Sequence, residues 1–264
     1  MSTSAMPHRR SWLRVFLIFF GVLAGIVGAG FGALVLALRH ARPAQGAPGP
    51  EADELGHALE RAVDKDAWDR TGAVRWTFTA MKHQHLWDKN RQLARVRWDD
   101  LEVLVDINQK TGRAYRKGTE IQGEEASGLV QKGYAFWAND SFWLNPVVKL
   151  FDPGVVRTVV PLDGGARGLL VGYSSGGVTP GDQYLWIPGA DGRPGAWRMW
   201  VSVIPIGGIE FRLGDWTRLQ TGAQLATRHR TAVGLAIELD DVAGAASLGE
   251  LEPGPDPFAA IAQK

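Results

Sequence analysis

The sequence predicts an α+β protein: a single N-terminal transmembrane helix, then a large bent antiparallel sheet, or half-open barrel, with an N-terminal helix and a central helical plug. Three observations predict it. An uncharged apolar run extends from Val15 to Leu38 behind a short tail carrying Arg9, Arg10 and Arg14. Beyond it, apolar and polar residues alternate at period two in many short segments parted by Gly, Asp and Asn. Two stretches break that rhythm with helical spacing. Strands interrupted by a segregated helical insertion are the pattern of an α+β fold.

The elements follow in order. Residues 1–14 form a short tail, expected on the cytoplasmic side. The run 15–38 would make roughly 36 Å of helix, enough to cross a bilayer core of about 30 Å with some tilt. It reads as an uncleaved signal anchor; a cleaved signal is the alternative, although signal h-regions are usually about 7–15 residues. Gly21, Gly25, Gly28 and Gly32 give G-x-x-x-G spacing, which allows a homodimer through the span, while Gly is common in spanning helices in any case. Residues 39–53 read as a Pro/Gly/Ala linker and 54–242 as the folded extracytoplasmic domain. A helix is expected across Leu55, Leu59, Ala62, Val63 and Ala67, opened by Glu51, Asp53 and Glu54 and stopped by Gly72.

Period two then takes over. Val74–Ala80, Arg95–Asp99, Glu102–Ile107 and Arg113–Arg116 read as consecutive antiparallel strands, with Asp99-Asp100 in a turn. Glu124 to Asn139 reads helical through Ala126, Leu129, Val130, Gly133 and Trp137. Asn139 or Asp140 is expected to cap a second helical stretch, Ser141 to Phe151, ended by Asp152-Pro153-Gly154. Strands resume at Val155–Val160, Leu169–Tyr173, Gln183–Ile187, Trp197–Val203, Trp216–Leu219 and Ala223–Val233, and Leu235–Val242 reads as a final edge strand. Residues 243–264 read as a loose tail.

Composition narrows the function. The chain has no cysteine, so neither a disulfide nor an acylated cysteine holds it, and a hydrophobic core must. All 28 acidic residues follow the span, and three of the 29 basic residues precede it, leaving about −2 on the rest. A nucleic-acid partner lacks its basic footprint. No G-x-S-x-G, H-E-x-x-H or P-loop occurs. Ser174-Ser175-Gly176-Gly177 reads as a turn. No catalytic residue and no cofactor is assigned, and an enzyme is not expected. His83 and His85 stand at i, i+2 and with His229 would make a three-His metal set. They are expected in a polar turn with Lys82, Gln84 and Asp88, so no metal ligand is assigned.

Of eleven tryptophans, all but Trp12 lie beyond the span. Some strands are apolar on both faces: Trp197, Met199 and Val201 point one way and Trp200 the other. Such a sheet is either covered on both sides or encloses an apolar cavity. The segment Asn139 to Phe151 is apolar nearly all round, so it is expected either as a permanent plug or as a lid made of Phe142, Trp143 and Leu144.

The order of elements is carried by Asn139-Asp140-Ser141-Phe142-Trp143-Leu144, Asp152-Pro153-Gly154-Val155, Gln183-Tyr184-Leu185-Trp186 and Trp197-Arg198-Met199-Trp200-Val201. These phrases resemble a group of uncharacterised bacterial envelope proteins whose architecture is similar to the lipoprotein-carrier (LolA/LolB-like) fold. The resemblance covers roughly residues 54 to 242. It implies helices plugging a half-open barrel that holds acyl chains, although no diagnostic carrier residue maps onto this chain. The expectation is a non-catalytic module, anchored in the inner membrane with its domain in the periplasm or outside the cell. It would bind a lipid or acyl chain between Trp76, Phe78, Trp98, Trp186, Trp197 and Trp200. The alternatives are an envelope interaction or scaffold protein whose aromatic interior is only core, and, more distantly, a metal-dependent enzyme.

Overall fold

The computed structural model describes residues 32–174, 181–202, 204 and 206–262. Residues 1–39 and 40–264 form two compact units. In the first, residues 32–38 are helical. The rest of the expected anchor, residues 15–31, lies outside the described residues. Among the described residues, no helix is long and apolar enough to cross a membrane.

The second unit is built on one open antiparallel sheet of 13 strands. Helix α1 spans Pro50–Ala62, with Pro50 where a missing N–H costs nothing and Glu51 and Asp53 at its positive end. The single expected helix is broken at Asp64, whose φ of 54° is left-handed; its side chain then caps α2, Lys65–Arg70, by accepting from the Ala67 N–H. A meander of six strands follows: β1 Ala73–Phe78, β2 His83–Asp88, β3 Leu93–Trp98, β4 Leu101–Asp106, β5 Thr111–Arg116 and β6 Thr119–Ile121. Asp99 forms the β3–β4 turn with φ 50°, and Lys117 and Gly118 make the β5–β6 turn, both left-handed.

Helix α3, Gly123–Leu144, is one unbroken stretch of 22 residues. The expected break at Asn139 does not occur, and Asp140 lies inside the helix rather than capping a second one. Val130, Gly133, Asp140 and Leu144 recur on its buried side, so one continuous stripe carries the helix to Pro146, which opens a short 3-10 turn, Pro146–Lys149. A Cβ on Gly133 would lie 2.9 Å from Val103 Cγ1, so a glycine lets α3 settle closely on β4.

The second meander comprises β7 Val155–Pro161, β8 Arg167–Tyr173, β9 Gln183–Pro188, β10 Pro194–Trp200, β11 Ile209–Arg218, β12 Gln224–Arg230 and β13 Ala236–Ala245. Residues 175–177 of the expected glycine turn lie outside the described residues. The strand order is β6-β5-β4-β3-β2-β1-β13-β12-β11-β10-β9-β8-β7. Each meander runs from the centre outward or back, and the two join at one seam, β1 against β13, where the register slips between Arg75 and Thr77. The last strand is therefore not the expected edge: pairing with β12 on one side and β1 on the other puts it mid-sheet.

Helix α3 therefore leads from one outer strand, β6, to the other, β7. Its contacts show how the sheet bends. Asp140 reaches His85 on β2 at 2.8 Å, while Phe142, two residues on, meets Tyr173 on β8 with ring centroids 5.9 Å apart. In a flat sheet β2 and β8 would lie seven spacings apart, about 34 Å. Two neighbouring residues of one helix can touch both only if the sheet curls around the helix end. The expected large antiparallel sheet, not closed and accompanied by a few helices, is thus present.

The largest core cluster lies inside this curl. It joins Leu59, Val63 and Trp68 of the first helical segment and Trp143, Leu144, Val147 and Leu150 of the central one to residues of β1 and β8–β13. A second cluster packs Val130 against Val96, Trp98, Val103 and Val105.

The C-terminal expectation needs correction. Strand β13 continues to Ala245; Ser247 caps a short helix α4, Leu248–Leu251, by accepting from the Glu250 N–H. Phe258 is fully buried among Leu86, Leu93 and Leu104 on the outer face of the first meander. Apolar outward-facing residues on β2–β4 need a cover, and this segment supplies it.

Candidate functional site

The six tryptophans and phenylalanines expected to line a ligand groove are all buried, but they fall into three places. Trp76 and Phe78 on β1, Trp186 on β9 and Trp197 on β10 share the interior of the curl. Trp98 belongs to the cluster beneath the first half of α3. Trp200 points to the opposite face, against Val160, Leu170 and Leu185. The structure thus brings four of the six into one core.

Around Trp197 the rings form a stack: Trp186 at 5.0 Å, Tyr184 at 5.4 Å and Phe142 at 5.8 Å. Trp143 meets Trp197 and Phe211 edge-on at 5.2 Å each, and His229 at 5.3 Å. Of the other residues expected in the lid, Phe142 lies on Tyr173, Tyr184 and Trp197, and Leu144 is buried in the same cluster as Trp143.

Polar atoms are trapped in this aromatic interior. Among the described residues, the indole N–H groups of Trp76, Trp186 and Trp197 have no acceptor. Neither ring nitrogen of His229 has a protein partner in good geometry, and burial pushes its pKa down to about 4, only partly opposed by the backbone of Trp143 and Ala226. Burial likewise pushes the Tyr173 and Tyr184 hydroxyls up. Clefts of about 400 and 220 Å³ open elsewhere, the first between Asp88–Arg91 and Ser247–Pro257 and the second around His57, Glu60 and Lys65. None of the six aromatic residues lines either of them.

A second arrangement was misplaced by the sequence. His83 and His85 are not in a polar turn: they start strand β2, which pairs with β1 on one side and β3 on the other. Alternation buries both, while Gln84 between them is exposed. Their partner is Asp140 of α3, and His229 stands apart with Trp143 and Trp197. One carboxylate oxygen, Oδ2, lies 2.8 Å from His83 Nδ1 and 2.8 Å from His85 Nε2. The other, Oδ1, accepts from Asn139 Nδ2 at 2.8 Å. His83 stacks on Phe136 at 3.9 Å and His85 on Trp76 at 4.5 Å, so the rings are held in plane. Burial lowers the His85 pKa, against the opposing effect of Asp140.

A signal for this group existed in the sequence. Asp140 continues the stripe Val130, Gly133, Trp137 at helical spacing, and a carboxylate on a buried stripe must find polar partners. Two histidines at i, i+2 on a strand are the matching set.

No protein-family model and no curated protein matches this chain.

Proposed function

We propose that the chain is a membrane-tethered module of the bacterial cell envelope that holds a lipid or acyl chain, without catalysis, inside the curled sheet. The supporting observation is the inner face of that sheet. It is an open-edged aromatic surface, carrying Trp76, Phe78, Trp186 and Trp197, covered by helical segments rather than by a second sheet. Helical cover can withdraw without breaking strand pairing, whereas a second sheet packed face to face interdigitates with the first. Aromatic walls give a flexible chain large apolar contact at little side-chain entropy cost. The unpartnered indole N–H groups would meet the carbonyl or phosphate oxygens of such a guest. In this reading the apolar run 15–38 is the tether and the domain lies on the outer side of the inner membrane.

Native mass spectrometry of the delipidated full chain, offered fatty acid, phospholipid and lipopeptide separately, tests the reading. A one-to-one adduct that weakens in Trp197→Ala is expected. Failure to bind all three would overturn it and favour the second reading, an interaction or scaffold domain. That alternative draws on the way Trp143 already fills the interior against three rings.

A further inference from the structure

We propose that His83, His85 and Asp140 form a binding site for one divalent transition-metal ion of the zinc class, which clips helix α3 to strand β2. The donor atoms of the three side chains lie within 4.8 Å of one another, all three residues being at most 4% exposed. Two elements far apart in the chain supply them, so the site exists only in the folded domain.

Three features favour an ion over a simple hydrogen-bonded trio. First, Asp140 is a carboxylate 1% exposed, and among the described residues no Lys or Arg pairs with it. A buried anion without a cation is costly, and a divalent ion between the carboxylate and two imidazoles supplies the missing charge. Second, the two histidines present different nitrogens, Nδ1 of His83 and Nε2 of His85, to the same oxygen. This is how ligands at i, i+2 on one strand converge on a point. Third, Asn139 holds the second carboxylate oxygen, and Phe136 and Trp76 fix the ring planes. Such outer partners orient ligands in metal centres.

The chemistry of the donors selects the ion. Two imidazoles and one carboxylate suit Zn²⁺, Cu²⁺, Ni²⁺ and Co²⁺, whereas Mg²⁺ and Ca²⁺ prefer oxygen shells. Zinc would sit about 2.0–2.2 Å from each donor, which asks the carboxylate and the rings to part by a few tenths of an ångström from their 2.8 Å contacts. The three side chains leave the fourth position of a tetrahedral ion to water. This site does not depend on whether the aromatic interior holds a lipid, and the ion requires no guest.

The test is zinc binding by the full chain after chelator treatment and dialysis. One equivalent per chain is expected by elemental analysis, with a raised thermal midpoint and, for Co²⁺, the visible absorption of a low-coordinate site. Asp140→Asn keeps an acceptor for the imidazoles and His85→Gln keeps a polar side chain; both are expected to lose the equivalent by at least tenfold in affinity. No binding by the wild type, or equal binding by both variants when they are folded, overturns the proposal. Should the variants fail to fold, the wild type decides through its histidine ring resonances. Zinc must shift those of His83 and His85; shifts confined to the more exposed His40 and His57 would mean surface binding and refute the site.

Discussion

Trp143→Ala tests the packing of α3 into the curled sheet most directly. The side chain is 7% exposed and meets Trp197, Phe211 and His229 edge-on at 5.2, 5.2 and 5.3 Å. Truncating a buried tryptophan to alanine costs about 3–5 kcal/mol. The two aromatic pairs with Trp197 and Phe211 account for about 0.5–1.5 kcal/mol each within that loss. For a unit of this size each kcal/mol moves the midpoint by about 2–4 °C, so a fall of about 6–20 °C is expected. Urea and thermal unfolding followed by tryptophan fluorescence would measure it. A loss below about 1 kcal/mol would refute the reasoning, because a side chain wedged between three rings cannot be removed so cheaply. The same variant separates plug from lid. If the helix end swings open for a guest, lipid release speeds up; a large stability loss with unchanged release rules the lid out.

Acid should weaken the domain through His229. Its pKa is about 4 folded and about 6.5 unfolded, so the unfolded chain binds more protons between these values. The stabilisation is complete above about pH 6.5 and is lost as pH falls toward 4, by about 3 kcal/mol in all. His229→Gln should flatten the difference between urea midpoints at pH 7 and 4.5; equal slopes in variant and wild type would contradict the burial of an uncharged imidazole. In the C-terminal segment, Phe258→Ala should cost about 3–5 kcal/mol, since the ring is fully buried on Leu86, Leu93 and Leu104 beneath the Arg91 guanidinium. A change within about 0.5 kcal/mol would mean that the C-terminal segment is loosely attached after all.

Period-two alternation made most of the strands legible, because inward residues such as Val74, Trp76 and Phe78 are apolar and their neighbours are not. Strand β2 escaped for the opposite reason: its inward residues, His83 and His85, are polar and each bonds a carboxylate nearly sixty positions away. Pattern reading assigns burial to apolar side chains, so a polar pair buried by long-range bonding looks like a turn. The unbroken helix was missed similarly. Asn139-Asp140 carries the local chemistry of a cap, yet Asp140 spends its oxygens on β2 and on Asn139. Phe258 was missed because one aromatic among prolines gives no periodic signal. The candidate interior was half legible: opposite faces for Trp197 and Trp200 follow from alternation, but bringing Trp76 beside the rings of β9 and β10 requires the seam between the meanders.

That seam has a consequence for how the molecule comes together. Every strand pair except β1–β13 joins neighbours in the chain, through tight turns or short loops, so each meander can form from local hairpins. The exception pairs Ala73 with Ala245 and closes a loop containing the whole of both meanders. Its closure entropy must be met late, after α3 already has strands to lie on. The register slip in β1 falls within this pairing. Parting this one pair of strands would separate two preformed halves and lay open the helix between them. Hydrogen exchange should therefore find β1 and β13 releasing their amides together, ahead of the hairpins on either side.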